Sequence, residues 1–233
     1  MILGIMQPYF FPYIGYFQLM NAVDEFIIYN NIQYTKKGWI NRNRILVNGK
    51  DEYITLPLKK DSDYLNVNER YLAESWNKDR IKLLNRIESS YRKAPYFKIV
   101  FPIIEDCLSV PFSNLFAFLF DTIKIIRNYL EIETLIKVSS FISIDHSLKS
   151  EDKVIALCKA SKADSYINGI GGIELYNRDT FKQNNIDLYF IKANEIVYNQ
   201  FDNNFISSLS IIDVMMFNSK EQIKEMLKEY TLL

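Results

Sequence analysis

The sequence predicts an α/β fold, an open and mostly parallel sheet that carries a β-hairpin and a mid-chain helical insertion. Three observations predict it. Strand-like apolar runs alternate with helix-periodic stretches at both ends of the chain. Asn48-Gly49, a strong type I′ turn signal, separates two strand-like runs. Between residues 57 and 131, Ala94-Pro95 and Val110-Pro111 divide three stretches of helical periodicity.

Each element follows from local chemistry. Ile2–Met6 is an uncharged apolar run suited to an inner strand. Residues 13–22 begin just after Pro12 and place Ile14, Phe17 and Met20 at helical spacing. Residues 25–29 form the second strand, and so short a strand–helix–strand path implies parallel pairing through a right-handed crossover. Residues 40–47 and 52–56 are the arms of the hairpin, and helices are expected over 77–92, 96–107 and 112–130. Alternation then resumes with a strand at 136–139, a helix at 150–161, a strand at 165–167, a helix at 173–183, a strand at 186–190 and a closing helix at 220–229. The pattern is doubly wound and Rossmann-like. Residues 1–233 read as a single domain, with 57–131 as a helical insertion or cap.

Composition narrows the function. The chain has 233 residues, 48% of them hydrophobic, enough to bury a real core. Its 28 basic and 28 acidic residues cancel, so no global field favours a polyanion, and nucleic acid is not an expected partner. No apolar run is long enough to span a bilayer, and the opening residues lack the basic leader and cleavage site of a signal peptide. Cys107 and Cys158 match neither a metal nor a redox spacing, so no metal site is expected and the cytoplasm is the default compartment.

Three clusters carry candidate binding chemistry. The first is the loop after the first strand, "MQPYFFPYIGYFQLM", which an open parallel sheet places at its ligand-binding edge. Its candidates are Gln7, Pro8, Tyr9, Tyr13 and Tyr16, with rings able to stack on a base or sugar; Phe10, Phe17 and Leu19 read as packing. The second is the basic, aromatic run 30–45, with Gln33, Lys37, Trp39, Asn41, Arg42 and Asn43, suited to a diphosphate. The third is "YINGIGGIELY", which puts Tyr166, Gly169, Gly171, Gly172 and Tyr176 where a strand leads into a helix and backbone N–H groups face an anion. That window has neither dinucleotide-fingerprint nor P-loop spacing. His146 is the one histidine and the candidate general base. Cys158 is a candidate for covalent catalysis, although its apolar helical surroundings favour burial.

The strand, Pro-rich loop, glycine and helix resemble the start of nucleotidylyl-transferase-like folds. Their H-x-G-H motif would correspond here to Tyr13-Ile14-Gly15-Tyr16, and without histidines the phosphate chemistry of that group is not expected. Over nearly the whole chain, "MQPYFFPYIGYFQLM", "DEFIIYNNIQYTKKGWINRNRI", "ITLPL", "YINGIGGIELYNRDTF" and "LSIIDVMMFN" together resemble the WbqC-like family. The resemblance implies bacterial O-antigen or other surface-polysaccharide synthesis. Asn30-Asn31 stand where that family often has an acidic residue, which argues against a metal or base role there. By association, the pathway implies transfer of an acyl or aminoacyl group to the amine of a nucleotide-linked dideoxy amino sugar. Two alternatives stay open, ATP-dependent activation of a carboxylate and non-catalytic binding of a sugar nucleotide. The donor is correspondingly a carrier-bound thioester, with an acyl carrier protein as partner, or a carboxylate activated by ATP. Oligomeric state is left undetermined.

Overall fold

The computed structural model describes residues 1–201 and 204–233. Its main sheet has six strands: β1 (Ile2–Met6), β2 (Glu25–Ile28), β5 (Leu135–Val138), β6 (Ser165–Gly169), β7 (Asp187–Ala193) and β8 (Tyr230–Leu232). β3 (Arg42–Val47) and β4 (Lys50–Thr55) form a separate antiparallel hairpin. The helices are α1 (Ile14–Asn21), α2 (Trp76–Tyr91), α3 (Phe97–Leu108), α4 (Leu115–Tyr129), α5 (Ser150–Ala160), α6 (Arg178–Gln183), α7 (Ile211–Phe217) and α8 (Lys220–Met226).

Strand order across the sheet is β5-β2-β1-β6-β7-β8, parallel from β5 to β7 and antiparallel only at β8. Counting the parallel strands along the chain, this is the 3-2-1-4-5 order of Rossmann-like sheets. The chain leaves β1 towards β2 through α1, then leaves β6 towards β7 through α6. The order therefore reverses between β1 and β6. α1 buries Phe17, Leu19 and Met20 on one face of the sheet with Phe26, Ile28 and Ile167. α5 and α6 bury Val154, Leu157, Cys158 and Phe181 on the other with Leu3, Ile5 and Ile27. The strand residues divide between the faces by simple alternation. Gly4 permits the close packing on the α1 side, since a Cβ there would lie 3.2 Å from Phe26 and 3.3 Å from Val23.

The α1-side core runs on without a break into the hairpin and into α2, α3, α4 and α7. Asn48 (φ 49°) and Gly49 (φ 75°) both take the left-handed conformation of a type I′ turn, as the hairpin signal requires. Two segments depart from the sequence expectation. The stretch expected as one helix over 173–183 is a 3-10 turn, Ile170–Leu175, followed by α6. Tyr176 between them is extended, and the Asn177 side chain accepts the Asp179 N–H at 2.8 Å to start α6 afresh. At the C-terminus, β7 continues to Ala193, α7 is added, and β8 pairs back on β7 after a shortened last helix.

α7 is buried along its whole length, Asp213 included. The Asp213 carboxylate accepts hydrogen bonds from the Tyr91 hydroxyl (2.8 Å), the Tyr198 hydroxyl (2.7 Å) and the Gln200 amide (2.7 Å). Tyr91 in turn accepts the Leu46 N–H of β3 at 2.8 Å. Burial raises the Asp213 pKa above the usual carboxylate value, against the lowering effect of its three donors. Asp213→Ala is expected to cost about 2–5 kcal/mol, because it strands two buried tyrosine hydroxyls. The variant's chemical denaturation midpoint checks this, and a shift under about 0.5 kcal/mol would contradict it.

Candidate functional site

In an open parallel sheet, ligands bind beyond the carboxyl ends of the strands, where the strand order reverses. Here that place lies between the ends of β1 and β6, so Gln7 and its loop face the Gly169–Gly172 segment across the switch point. The approach is close: a Cβ on Gly169 would lie 3.4 Å from the Met6 side chain.

The loop from Gln7 to Tyr13 is held by its own backbone. Phe11 has φ 42°, a strained conformation for an aromatic residue. Its carbonyl accepts from Asn43 Nδ2 and from Ser210 Oγ, both at 2.8 Å. On either side, Phe10 N–H donates to the Trp39 carbonyl (3.0 Å) and Ile211 N–H donates to the Pro12 carbonyl (2.9 Å). Asn43 Nδ2 also reaches the Phe10 carbonyl at 3.1 Å. Within this loop Pro8 is buried, Tyr9 is half-buried and Tyr13 is exposed. The Tyr13 ring lies over Gly15, where a Cβ would come within 2.4 Å of it. Tyr16 is buried between Tyr9, Phe17 and Phe26, and its hydroxyl has no partner among the described residues. Burial pushes that hydroxyl's pKa well up, so it stays protonated.

On the α5 side, polar side chains gather at the same edge. By the pairing register, Asn168 shares a face with Ile5 and Ile27, and alternation puts Gln7 and Tyr29 on that face at the strand ends. Lys153 of α5 is 5% exposed, and its Nζ lies 5.2 Å from the centre of the Tyr29 ring. The ammonium donates to the backbone carbonyls of Asn31 (3.4 Å) and His146 (3.3 Å). Burial lowers its pKa. Burial, and then Tyr176, raise the Tyr29 hydroxyl to about 12. Gly172 makes room for the Asn168 amide, since a Cβ there would sit 2.1 Å from Asn168 Nδ2. Tyr166 is buried beneath, its ring centre 5.9 Å from that of Tyr176.

His146 stands beside this group with both ring nitrogens engaged. Ser139 Oγ donates to Asn31 Oδ1 at 2.6 Å, so Asn31 Nδ2 is the group that donates to His146 Nδ1 at 2.9 Å. Nε2–H then donates to the Ile142 carbonyl at 3.0 Å. Asn30 and Asn31 together fasten the chain beyond β5 to the end of β2, with Asn30 Nδ2 donating to Ser140 Oγ at 3.0 Å. Cys158 is fully buried, and burial pushes its thiol to about 12, which leaves no thiolate for covalent chemistry.

The basic run lies on the hairpin side. Arg42 donates to the Gly38 carbonyl (3.3 Å) and to the Lys37 carbonyl, and its guanidinium lies 4.4 Å from the centre of the Tyr53 ring. Asn41 Nδ2 donates to the Leu56 carbonyl at 2.9 Å, while its Oδ1 accepts from Tyr34. Gln33 donates to the Asp63 carbonyl at 3.1 Å, and Lys37 is exposed at φ 61°. Trp39 is exposed and stacks on Tyr53 at 6.4 Å. The fold thus sets Gln7, the glycines, Tyr176 and His146 along one edge, buries Tyr166 in the core against Phe181, and spends Asn41, Arg42 and Asn43 on shaping the hairpin and the loop. A separate cleft of about 620 Å³ opens beside Tyr13, beyond the end of β7, and reaches Tyr198 and Ser208.

Sequence reading missed Tyr29, Asn168 and Lys153. For Lys153 a signal existed, since it lies one turn before Leu157 on the buried stripe of α5, yet a lysine in a charged "SEDK" run reads as solvated.

Strand order and connections make this a Rossmann-like α/β protein whose Gln7 loop and glycine segment flank the switch point. The chain belongs to the WbqC-like protein family, which it matches over residues 7–225. It is 28% identical over 219 residues, 92% of each chain, to the uncharacterized protein Rv1507c of Mycobacterium tuberculosis. No solved structure matches it. Among the described residues no helix is long and apolar enough to cross a membrane.

Asn43→Ala should destabilise the protein by about 1–3 kcal/mol, because it removes a donor from two buried carbonyls. Thermal melting checks it, and an unchanged midpoint would show that the loop is held by other means. Gly171 and Gly172 should separate cleanly. A Cβ on Gly171 meets nothing within 4 Å. Gly171→Ala should therefore alter stability by less than about 0.5 kcal/mol, whereas Gly172→Ala must displace the Asn168 amide and lower the melting temperature. Equal melting of the two would contradict this geometry.

Proposed function

We propose that this protein is a transferase of surface-polysaccharide synthesis that adds an acyl or aminoacyl group to the amine of a nucleotide-linked dideoxy amino sugar. The observation that carries the reading is the meeting of the Gln7 loop and the glycine segment at the switch point, beside half-buried aromatic rings. Membership of the WbqC-like family supports the pathway. Residues 1–233 act as one unit in this reading, in the cytoplasm, with 57–131 as an insertion on the α1 side of the sheet. The rings of Tyr9 and Tyr13 take the nucleoside or sugar face, and Gln7 and the Gly169–Gly172 backbone take its polar groups.

In the reaction the sugar nitrogen attacks the carbonyl carbon of a carrier-bound thioester. A C–N bond forms, the C–S bond breaks, and the thiol leaves with a proton while the amine gives one up. His146 is the assigned base, acting when the Asn31 amide releases Nδ1, and the Tyr176 hydroxyl is the donor for the tetrahedral oxyanion. The protein is to be incubated with nucleotide-linked amino sugars and acyl thioesters, and product mass is to be read. Addition of the acyl mass is expected. His146→Ala should lower the rate by about a hundredfold. Acylation that occurs only with ATP and a free acid would replace this reading by carboxylate activation. Binding of the sugar nucleotide without any product would replace it by a binding role.

A further inference from the structure

Lys153 carries a positive charge into the interior, and no carboxylate among the described residues pairs with it. A buried ammonium is costly unless it is paired or well hydrogen-bonded. Its two carbonyl contacts, at 3.4 and 3.3 Å, are long for charge-assisted bonds. Three acids of the adjoining elements make other contacts. Glu151 accepts the Asn177 N–H at 2.6 Å, Asp145 accepts from Ser147, and Glu25 pairs with Lys137 and Ser161. The Asn168 side chain, on a residue 7% exposed, has no hydrogen-bond partner among the described residues. Both groups stand on the α5 face of the sheet at its carboxyl edge, Asn168 on β6 at the switch point and Lys153 over the end of β2, with the Tyr29 ring against the lysine and open space around Gly171.

We propose that Lys153, Asn168 and Tyr29 form a phosphate-binding site at the carboxyl edge of the sheet, on its α5 side. The chemistry selects phosphate. An ammonium, an amide and a phenol present donors from three elements, α5, β6 and the end of β2, to match the several oxygens of a phosphate. A Tyr29 hydroxyl raised to about 12 remains a donor at any working pH. A bound phosphate would supply the counter-charge that no described carboxylate supplies. The site rests on the sugar-nucleotide reading in one respect, that the phosphate belongs to the diphosphate of that substrate. It names the group that anchors it.

Inorganic pyrophosphate is the probe. Calorimetric titration of the full chain at low salt should show binding that weakens at least about tenfold in Lys153→Met and clearly in Asn168→Ala, while Lys220→Met, on the far surface beside Glu131, matches wild type. Should Lys153→Met fail to fold, the wild-type protein provides the measurement. Pyrophosphate should slow acetylation of Lys153 by acetic anhydride relative to Lys220, read by peptide mass. Unchanged affinity in folded Lys153→Met, labelling of Lys153 indifferent to pyrophosphate, or equal protection by acetate would each overturn the site. Protection by pyrophosphate without any acylation of an amino sugar would sink the transferase reading and leave the site standing. Acylation without protection would do the reverse.

Discussion

The Phe11 carbonyl is the point on which the candidate site depends. A non-glycine residue at φ 42° persists only where its surroundings over-determine it. Here Asn43 from the hairpin and Ser210 from the turn before α7 converge on one oxygen, while Trp39 and Ile211 hold the residues on either side. The first strand can then end abruptly, turn its loop across the edge of the sheet, and deliver the chain into α1 without a side-chain cap. Ser210 does two tasks at once, since its hydroxyl also accepts the Ile212 N–H at the start of α7. The distant segments "NRNRI" and "LSIID" are thus parts of the same loop as "QPYFFPY", brought together through hydrogen bonds to backbone rather than through side-chain packing alone.

The Asp213 network reinforces that junction from beneath. Its three donors come from α2 and from the chain leading to α7, and Tyr91 extends it to the backbone of β3. A carboxylate at zero exposure would be a liability by itself. Surrounded by donors, it ties helical layer, hairpin and C-terminal segment together through one set of hydrogen bonds. Tyr198 also borders the cleft beyond β7, so the same network stiffens one wall of a second opening beside Tyr13. The α1 side of the protein is therefore held by directional bonds around a large apolar core. On the α5 side the Asn168 amide has no partner among the described residues and Lys153 has only carbonyls and a ring, which is where a ligand has something to contribute.

The boundaries of β1, of the hairpin and of the three mid-chain helices were legible because each rests on a local cause: an uncharged apolar run, an Asn-Gly turn with two positive φ angles, proline punctuation. The glycine segment was legible as a place but not as a shape. Its 3-10 turn and the restart at Asn177 depend on Glu151, a residue of another helix, taking up the Asn177 N–H. α7 escaped because an element buried all round has no amphipathic period to read, and β8 because its pairing with β7 is decided at the end of the chain. Tyr16 drew notice as a loop-side tyrosine, yet its place in α1 turns it into the core.

By itself the sequence determined the doubly wound order of strands and helices, the hairpin, and the two segments that flank the switch point, since periodicity and turn chemistry act over a few residues. Only the tertiary structure decided what the polar residues do. Asn43 and Arg42 are neighbours in sequence, and one holds a buried loop while the other turns onto its own surface. Lys153 has the composition of a solvated lysine and the environment of an interior one. Burial and partnership are properties of the space between elements, and among the described residues none of the ion pairs involves the interior ammonium of Lys153.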